Sequence, residues 1–449
     1  MKYLSLEKRN IFVIPVGDFF SDAEDACFLV YSPLANTFFL ALGEQVNDLE
    51  RQAGNNESNQ ILDLLCNYIP VEERNPYGVG FDSTSIFYIL LNEKCNFHCK
   101  YCYSAAGRSD KELSIGQIYT ALDYFLSDER NAPPARTIIF IGGGEPTLSW
   151  NLVEQATLYA EKKATENNII LNKQLTTNGS VLTSRMIEFY KTHNFELQFS
   201  FDVIPEIQNR QRGRFDKVSA NLKQLGEENI KCKIRTTITE ENVERMPEIV
   251  ELCHSEYPAI KHITCEQVVD PVYFKSIEVT QSFYKKYFAS FIKASAMAKS
   301  HNIDLFSSSQ GTIRTIRSRF CFNLYCITPY GTLTTCPAIS SPQEQGYQEA
   351  VCGTVGDDAI QFDNESYERL TNGSISTYDE CKKCWARWNC GSGCPNQRRV
   401  YEPHIFNEIC FFMKQMLRYN LINELAEKHE KATGKNFFDD ITSTLKNKK

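Results

Sequence analysis

The segment EKCNFHCKYCYS sets Cys95, Cys99 and Cys102 in a CxxxCxxC spacing, and no other feature of the chain limits its fold and chemistry so tightly. Three thiolates this close on one loop can hold three irons of a 4Fe-4S cube and leave the fourth iron open. A small chelating ligand can then bind the open iron and take an electron from the cluster. A zinc knuckle, with His98 as its fourth ligand, is the competing reading. Zinc sites, however, usually pair CxxC knuckles and close with four protein groups.

The chain holds 17 cysteines in 449 residues. A reducing compartment seldom uses so many as structural disulfides, so there they signal metal or redox chemistry. The N-terminus MKYLSLEKRN has no apolar signal core, and the longest apolar runs, such as residues 86–91, fall far short of the ~20 residues of a membrane helix. A cytoplasmic protein with no membrane partner is expected. With 48 Lys and Arg against 56 Asp and Glu, a net charge of -8, no basic field exists to hold a nucleic acid.

Read for period, the chain divides into four stretches: 1–84, 85–310, 311–415 and 416–449. The first begins with a strand pair at 26–31 and 37–41 around the turn SPLAN, followed by amphipathic helical patterns at 44–52 and 59–69. It reads as a small α+β domain of its own. From Ser85 the rhythm becomes short apolar strands at 86–91, 137–141, 169–175, 196–201, 233–238 and 260–266. Helical patterns at 115–126, 152–165, 184–190, 216–225 and 243–253 alternate with them. That rhythm implies an α/β fold whose parallel strands close into a partial (β/α)6 TIM-like barrel, with ligands at the carboxyl ends of the strands. A helix at 281–299 leads out of the barrel. Residues 311–410 are rich in Gly and Cys, cannot build a large core and need staples. A long helical pattern runs over 407–428, and the polar tail after it, ending in KNKK, is expected to fray.

The first cysteine loop, with Tyr101 before its last cysteine, resembles that of the radical S-adenosylmethionine (SAM) enzymes. Other residues fall where that resemblance places them. IGGGEPTL after the second strand looks like the family's GGE motif, carried by Gly143, Gly144, Glu145 and Pro146, which contacts the SAM amino group. TTNGS after the third strand, with Thr177 and Asn178, and Ser200 in SFD after the fourth match positions that hold the methionine carboxylate and ribose. Arg212 is a further carboxylate-binding candidate. Asp202 is followed by Val203 where the family has glycine, and the resemblance gives it no role. The resemblance covers roughly residues 85–300, and it implies that SAM is cleaved to a 5'-deoxyadenosyl radical that removes a hydrogen atom from substrate.

The second cysteine group is richer. Cys321 and Cys336 flank Gly331, CKKCWARWNCGSGC carries Cys381, Cys384, Cys390 and Cys394, and Cys410 follows. Seven cysteines exceed what one cube can use, so two metal sites are the simplest arithmetic, with zinc again the alternative. The spacing looks like the SPASM domain, the auxiliary iron-sulfur module of radical SAM enzymes that modify peptides and proteins. By that resemblance Cys381, Cys384, Cys390 and Cys410 close auxiliary cluster II, and Cys321, Cys336 and Cys394 hold cluster I. Three 4Fe-4S clusters are then implied, one of them binding SAM. No cysteine lies just upstream of Cys321, so cluster I has an open iron or takes a fourth ligand from Cys352, Cys326 or the substrate. The other cysteines, Cys27, Cys66, Cys232, Cys253 and Cys265 with Cys326 and Cys352, read as small buried apolar residues. Trp385 and Trp388 are expected to pack over a cluster.

The N-terminal strands and helices resemble the winged-helix-like element with which peptide-modifying enzymes capture a leader peptide as an added strand. A purely structural cap on the barrel is the alternative. The resemblance implies a precursor peptide with a leader and an external electron donor of flavodoxin or ferredoxin type as partners, and as activity an intramolecular crosslink, thioether before carbon–carbon. Two other readings stand beside it. One is an anaerobic sulfatase-maturing enzyme that makes formylglycine, and the other is an iron-sulfur partner protein without catalysis.

Overall fold

The computed structural model describes residues 3–20, 27–57, 59–308, 315–321, 324–371 and 374–446. The expected start of the first strand at residue 26, the boundary at 310–311 and the last residues of the KNKK tail lie outside them.

The N-terminal region has one strand more than expected. Strands β1 (Phe12–Pro15), β2 (Cys27–Ser32) and β3 (Thr37–Leu42) form an antiparallel sheet in that order, with short helix α1 (Leu4–Glu7) ahead of it and α2 (Gly43–Asn55) and α3 (Gln60–Cys66) after it. Val46, Leu49 and Ala53, spaced to fall on one side of α2, meet Val30 and Ala41 on one face of the sheet. Asn59 caps α3 by accepting from the backbone N–H groups of Ile61 and Leu62. The near-continuous apolar run of β2 has a reason, because both faces are covered. The second face, with Phe12, Ile14, Leu29 and Tyr31, packs on Leu417, Leu421, Ile422 and Ala426 of the C-terminal helix.

The six expected strands are present as β4 (Ile86–Ile89), β5 (Ala135–Phe140), β6 (Ile170–Thr177), β7 (Glu196–Ser200), β8 (Cys232–Ile238) and β9 (His262–Gln267), each parallel to the next. Helices α4 (Ile115–Phe125), α5 (Trp150–Glu166), α6 (Ser184–Thr192), α7 (Pro205–Gln211), α8 (Phe215–Glu227), α9 (Met246–Glu256) and α10 (Ile277–Ser300) run between and after them. Alternation along the strands sorts their side chains. Phe87, Ile89, Ile138, Phe140, Leu197, Phe199 and Ile234 enter one core with Ile118, Ala156, Leu222, Ile249 and Phe291 of the helices. The other, inner face carries Tyr88, Ile139, Gln174, Gln198, Ser200, Arg235 and Thr264.

The sheet does not end with these six. Strand β10 (Asp304–Phe306) adds parallel to β9. At the opposite edge β11 (Leu324–Ile327) joins β4 in parallel, pairing Cys326 with Tyr88, and β12 (Thr332–Thr334), β13 (Val351–Val355) and β14 (Ile360–Phe362) follow antiparallel. The cysteine-rich region thus shares the core of the barrel, through Tyr325, Leu333, Cys352 and Tyr367, as well as whatever its cysteines bind. Helix α11 (Pro403–Thr433) stacks Phe412 on Tyr284 of α10, with 4.4 Å between ring centroids. The tail departs from expectation: helix α12 (Phe437–Lys446) forms there and Phe437 packs on Phe20. No helix among the described residues is long and apolar enough to cross a membrane.

Candidate functional site

Just beyond β4 the chain enters the first cysteine loop, at the carboxyl ends of the strands where ligands were expected. The loop is tied down at both sides: Lys100 N–H donates to Gln211 O at 2.9 Å, and Glu93 N–H to Lys111 O at 3.0 Å. The GGGE turn after β5 is stitched directly onto it, with Gly144 N–H donating to Asn92 O at 2.7 Å and Glu145 N–H to Lys94 O at 2.6 Å. A Cβ on Gly144 would sit 1.9 Å from Lys94 O, so only glycine allows this approach.

Each thiol of the loop has a polar hydrogen donor beside it. Arg108 Nη2 lies 2.9 Å from Cys102 Sγ, Asn178 Nδ2 3.9 Å from Cys95 Sγ, and Arg212 Nη1 3.9 Å from Cys99 Sγ. Burial pushes the Cys95 thiol up and that of Cys99 to about 11, while Arg108 and Arg212 oppose it. Metal binding must therefore release protons here, and the two guanidinium groups favour the anionic product. His98 is exposed, outside this arrangement.

Glu145 is 2% exposed and forms a latch between strand ends. Its Oε1 accepts from Thr147 N–H, Thr147 Oγ1 and Thr177 Oγ1, at 3.0, 2.6 and 2.7 Å. Its Oε2 accepts from Asn178 N–H at 2.7 Å. Of the sequence candidates, Gly143, Gly144, Glu145, Pro146, Thr177 and Asn178 are therefore one connected unit against the cysteine loop. Ser200 stands apart, half-buried on the inner face opposite Arg235 of β8.

Besides Arg108, further residues to which the sequence reading gave no role belong here. Asp202, fully buried, accepts from Tyr101 Oη at 2.6 Å, Arg212 Nε at 3.2 Å and Thr237 N–H at 3.1 Å. Burial alone would weaken the Arg212 charge, but Tyr101, Asp202 and Cys99 around it more than restore it. The signal was present in SFD. Val203, where glycine was expected, still adopts φ 64°, the left-handed conformation glycine would take, so the turn that aims Asp202 survives the substitution under strain.

The remaining candidate ligands form two further groups. Cys321, Cys336 and Cys394 lie within electrostatic reach of one another, and burial pushes Cys336 to about 12. Cys381, Cys384, Cys390 and Cys410 make the other set, with burial pushing Cys390 to about 12 and Cys410 to about 11. Arg398 Nη2 stands 3.3 Å from Cys381 Sγ, and the half-buried Arg317 guanidinium is shared between Cys390 and Cys321. Of the two alternatives for a fourth ligand, Cys326 is near Cys336 and Cys321, whereas Cys352 Sγ donates to Leu333 O at 3.5 Å. Cys27, Cys232, Cys253, Cys265, Cys326 and Cys352 are buried and Cys66 half-buried. Among the described residues no three or more His, Cys, Asp or Glu side chains gather closely enough to grip a single metal ion.

Trp385 and Trp388, expected to pack over a cluster, also reach the N-terminal region. Both pack with the apolar face of the N-terminal sheet, and Trp388 Nε1 donates to Asn10 Oδ1 at 2.9 Å. They link the cysteine array to the N-terminal region because that sheet offers an apolar surface next to it.

Residues 89–253 match the family described as the Radical SAM superfamily. The chain is 29% identical over 126 residues to the radical SAM cyclopropyl synthase TigE of Paramaledivibacter caminithermalis, a match spanning 25% of this chain and 26% of that protein. It is thus aligned with only about a quarter of that relative. With the cysteine-type anaerobic sulfatase-maturating enzyme of Clostridium novyi it shares 23% identity over 346 residues, 72% of this chain and 90% of the relative. Two solved structures share the fold. Native anSMEcpe with bound AdoMet has a TM-score of 0.59 at 17% identity, covering 75% of this chain and 98% of that one. Streptococcus suis SuiB bound to precursor peptide SuiA has a TM-score of 0.52 at 13% identity, covering 86% and 94%.

Proposed function

Because residues 89–253 carry a radical SAM domain, we propose that the protein matures a ribosomally made precursor peptide by forming an intramolecular crosslink within it. The observation that carries this reading is the division of ten cysteines into three separate groups, one of them on the loop at the strand ends with Arg108 and Arg212 beside its thiols. When bound, a 4Fe-4S cluster and SAM supply reductive SAM cleavage and, from it, removal of a hydrogen atom from substrate. Cys95, Cys99 and Cys102 would hold three irons of that cluster. Gly143, Gly144, Glu145, Pro146, Thr177, Asn178, Ser200 and Arg212 would shape the place of SAM, with Glu145 acting through the latch it forms. The groups Cys321, Cys336, Cys394 and Cys381, Cys384, Cys390, Cys410 would hold two auxiliary clusters, and a flavodoxin- or ferredoxin-type donor would supply the electron for SAM cleavage.

The N-terminal sheet supports a peptide as substrate. Among the described residues the outer edges of β1 and β3 have no strand partner, and an extended leader segment can add to such an edge. Tethering would raise the effective concentration of the rest of the peptide at the inner face. Precursor peptide SuiA bound to SuiB agrees with this use. A thioether is the bond we favour, because three cysteines are assigned to cluster I and a substrate thiolate could take the fourth place, for which Cys326 is the rival within the chain.

The test is anaerobic turnover of a short peptide encoded beside the gene. A mass loss of two hydrogens with a cysteine no longer open to alkylation is the expected result. The same loss with every cysteine alkylatable would replace thioether by carbon–carbon. The match over 90% of the sulfatase-maturating relative favours a second reading, formylglycine formation. Turnover of a sulfatase-motif peptide, with no change in the neighbouring peptide, would establish that reading instead.

A further inference from the structure

Among the described residues the charged side chains on the inner face of the sheet each have an ion-pair or hydrogen-bond partner, with one exception. Lys233 pairs with Glu196, which also accepts from Gln174 Nε2 at 3.0 Å. His262 meets Asp304 at 3.1 Å, and Glu266 accepts from Ser308 N–H at 3.1 Å. Above them Arg212 is held by Asp202. Arg235 sits between these layers, opposite Ser200 on β7 and Thr264 on β9, exposed to the space over the inner face. Among the described residues no carboxylate lies within ion-pairing distance of it.

Its neighbours locate it further. Tyr88 and Tyr103 both lie within electrostatic reach of its guanidinium. Tyr103 is also near Cys102 and Cys336, and Tyr88 near Cys326, Cys321 and Cys336. Tyr103 keeps 55% of its surface open, so its phenol borders free space in that gap. Tyr103 therefore stands between the first cysteine loop and Cys336, near Glu344 as well, and Arg235 faces it from β8. A guanidinium offers a planar fork of donors that matches a carboxylate, and two phenols can extend the contact.

We propose that Arg235, with the hydroxyls of Tyr88 and Tyr103, binds a carboxylate of the substrate and so sets which part of it reaches the first cysteine loop. The proposal rests on the reading above that the substrate is a peptide. The carboxylate is then an Asp or Glu side chain or the peptide's C-terminus.

The experiment uses the full chain, reconstituted with iron and sulfide and then reduced by one electron per cluster to the paramagnetic state, and follows broadening of probe methyl protons by the protein. Nα-acetyl-aspartate N-methylamide represents a side chain, Nα-acetyl-alanine with its free carboxylate represents a C-terminus, and Nα-acetyl-asparagine N-methylamide is the neutral control. One acidic probe should bind about ten- to a hundredfold more tightly than the control, as expected for hydrogen bonds to charged groups, and which one does so identifies the source. Arg235→Gln should abolish this preference, Arg235→Lys should keep part of it, and Arg235→Glu should transfer it to Nα-acetyl-lysine N-methylamide. Equal broadening by acidic and neutral probes, or a preference that survives in Arg235→Gln, would overturn the proposal. So would loss of SAM affinity in that variant, which would place Arg235 against the cofactor's carboxylate. The function proposed above fails separately, if the unmodified protein yields no 5'-deoxyadenosine, and the probe comparison does not depend on that result.

Discussion

Asp202 ties the first cysteine loop to the strands below it, through Tyr101, Arg212 and Thr237. Replacing it with Ala leaves the Arg212 guanidinium buried without its counter-charge, which costs about 3–5 kcal/mol. Thermal unfolding of Asp202→Ala should show a clear fall in midpoint, and Asp202→Asn a smaller one, since the amide oxygen still accepts hydrogen bonds. An unchanged midpoint in both would mean that the pair does not hold the site together. The cysteine ligand candidates were legible because their spacing is itself the signal. Asp202 was legible only as part of SFD, because its contacts with residues 101, 212 and 237 are hidden by sequence separation. The contact of Trp385 and Trp388 with the N-terminal sheet was hidden for a related reason: nothing local to the array says that a distant sheet will cover it.

At the scale of elements, the parallel strands and their helices were readable from period alone, with ends displaced by a few residues. What was missed is instructive. Strand β1 is four residues long and ends in proline, too short to display alternation. Strands β10 and β11 draw their stability from the edges they join, β9 and β4. The cysteine array depends on its ligands more than the barrel does. Its helices Asp379–Lys382 and Arg387–Cys390 have four residues each, too few to persist alone. Cys384→Ser should therefore lose iron and loosen residues 379–394 together, because metal binding there is part of folding. Iron analysis with limited proteolysis checks this, and full iron content with unchanged cleavage would remove Cys384 from the ligand set.

For the molecule as a whole, the N-terminal region is not a detachable module. One face of its sheet covers Leu417, Leu421 and Ile422 of α11, and Phe20 packs on Phe437 of α12. Tyr31 Oη also donates to Asn389 Oδ1 at 2.9 Å, inside the cysteine array. Deleting residues 1–84 should uncover this apolar surface and produce aggregation, followed by light scattering. A monodisperse, iron-loaded truncated chain would show the contact to be dispensable. The covered face was invisible in the sequence, where β2 reads as one strand of a small separate domain.

The most direct measurement is 5'-deoxyadenosine formation from SAM by the anaerobically prepared, reduced chain, read together with its metal content. A coloured, iron-containing protein that forms 5'-deoxyadenosine is expected, and a Cys95, Cys99 and Cys102 to Ala triple variant that forms none while keeping iron on its other cysteines. A colourless, zinc-loaded protein, or a triple variant that still cleaves SAM, would contradict this expectation.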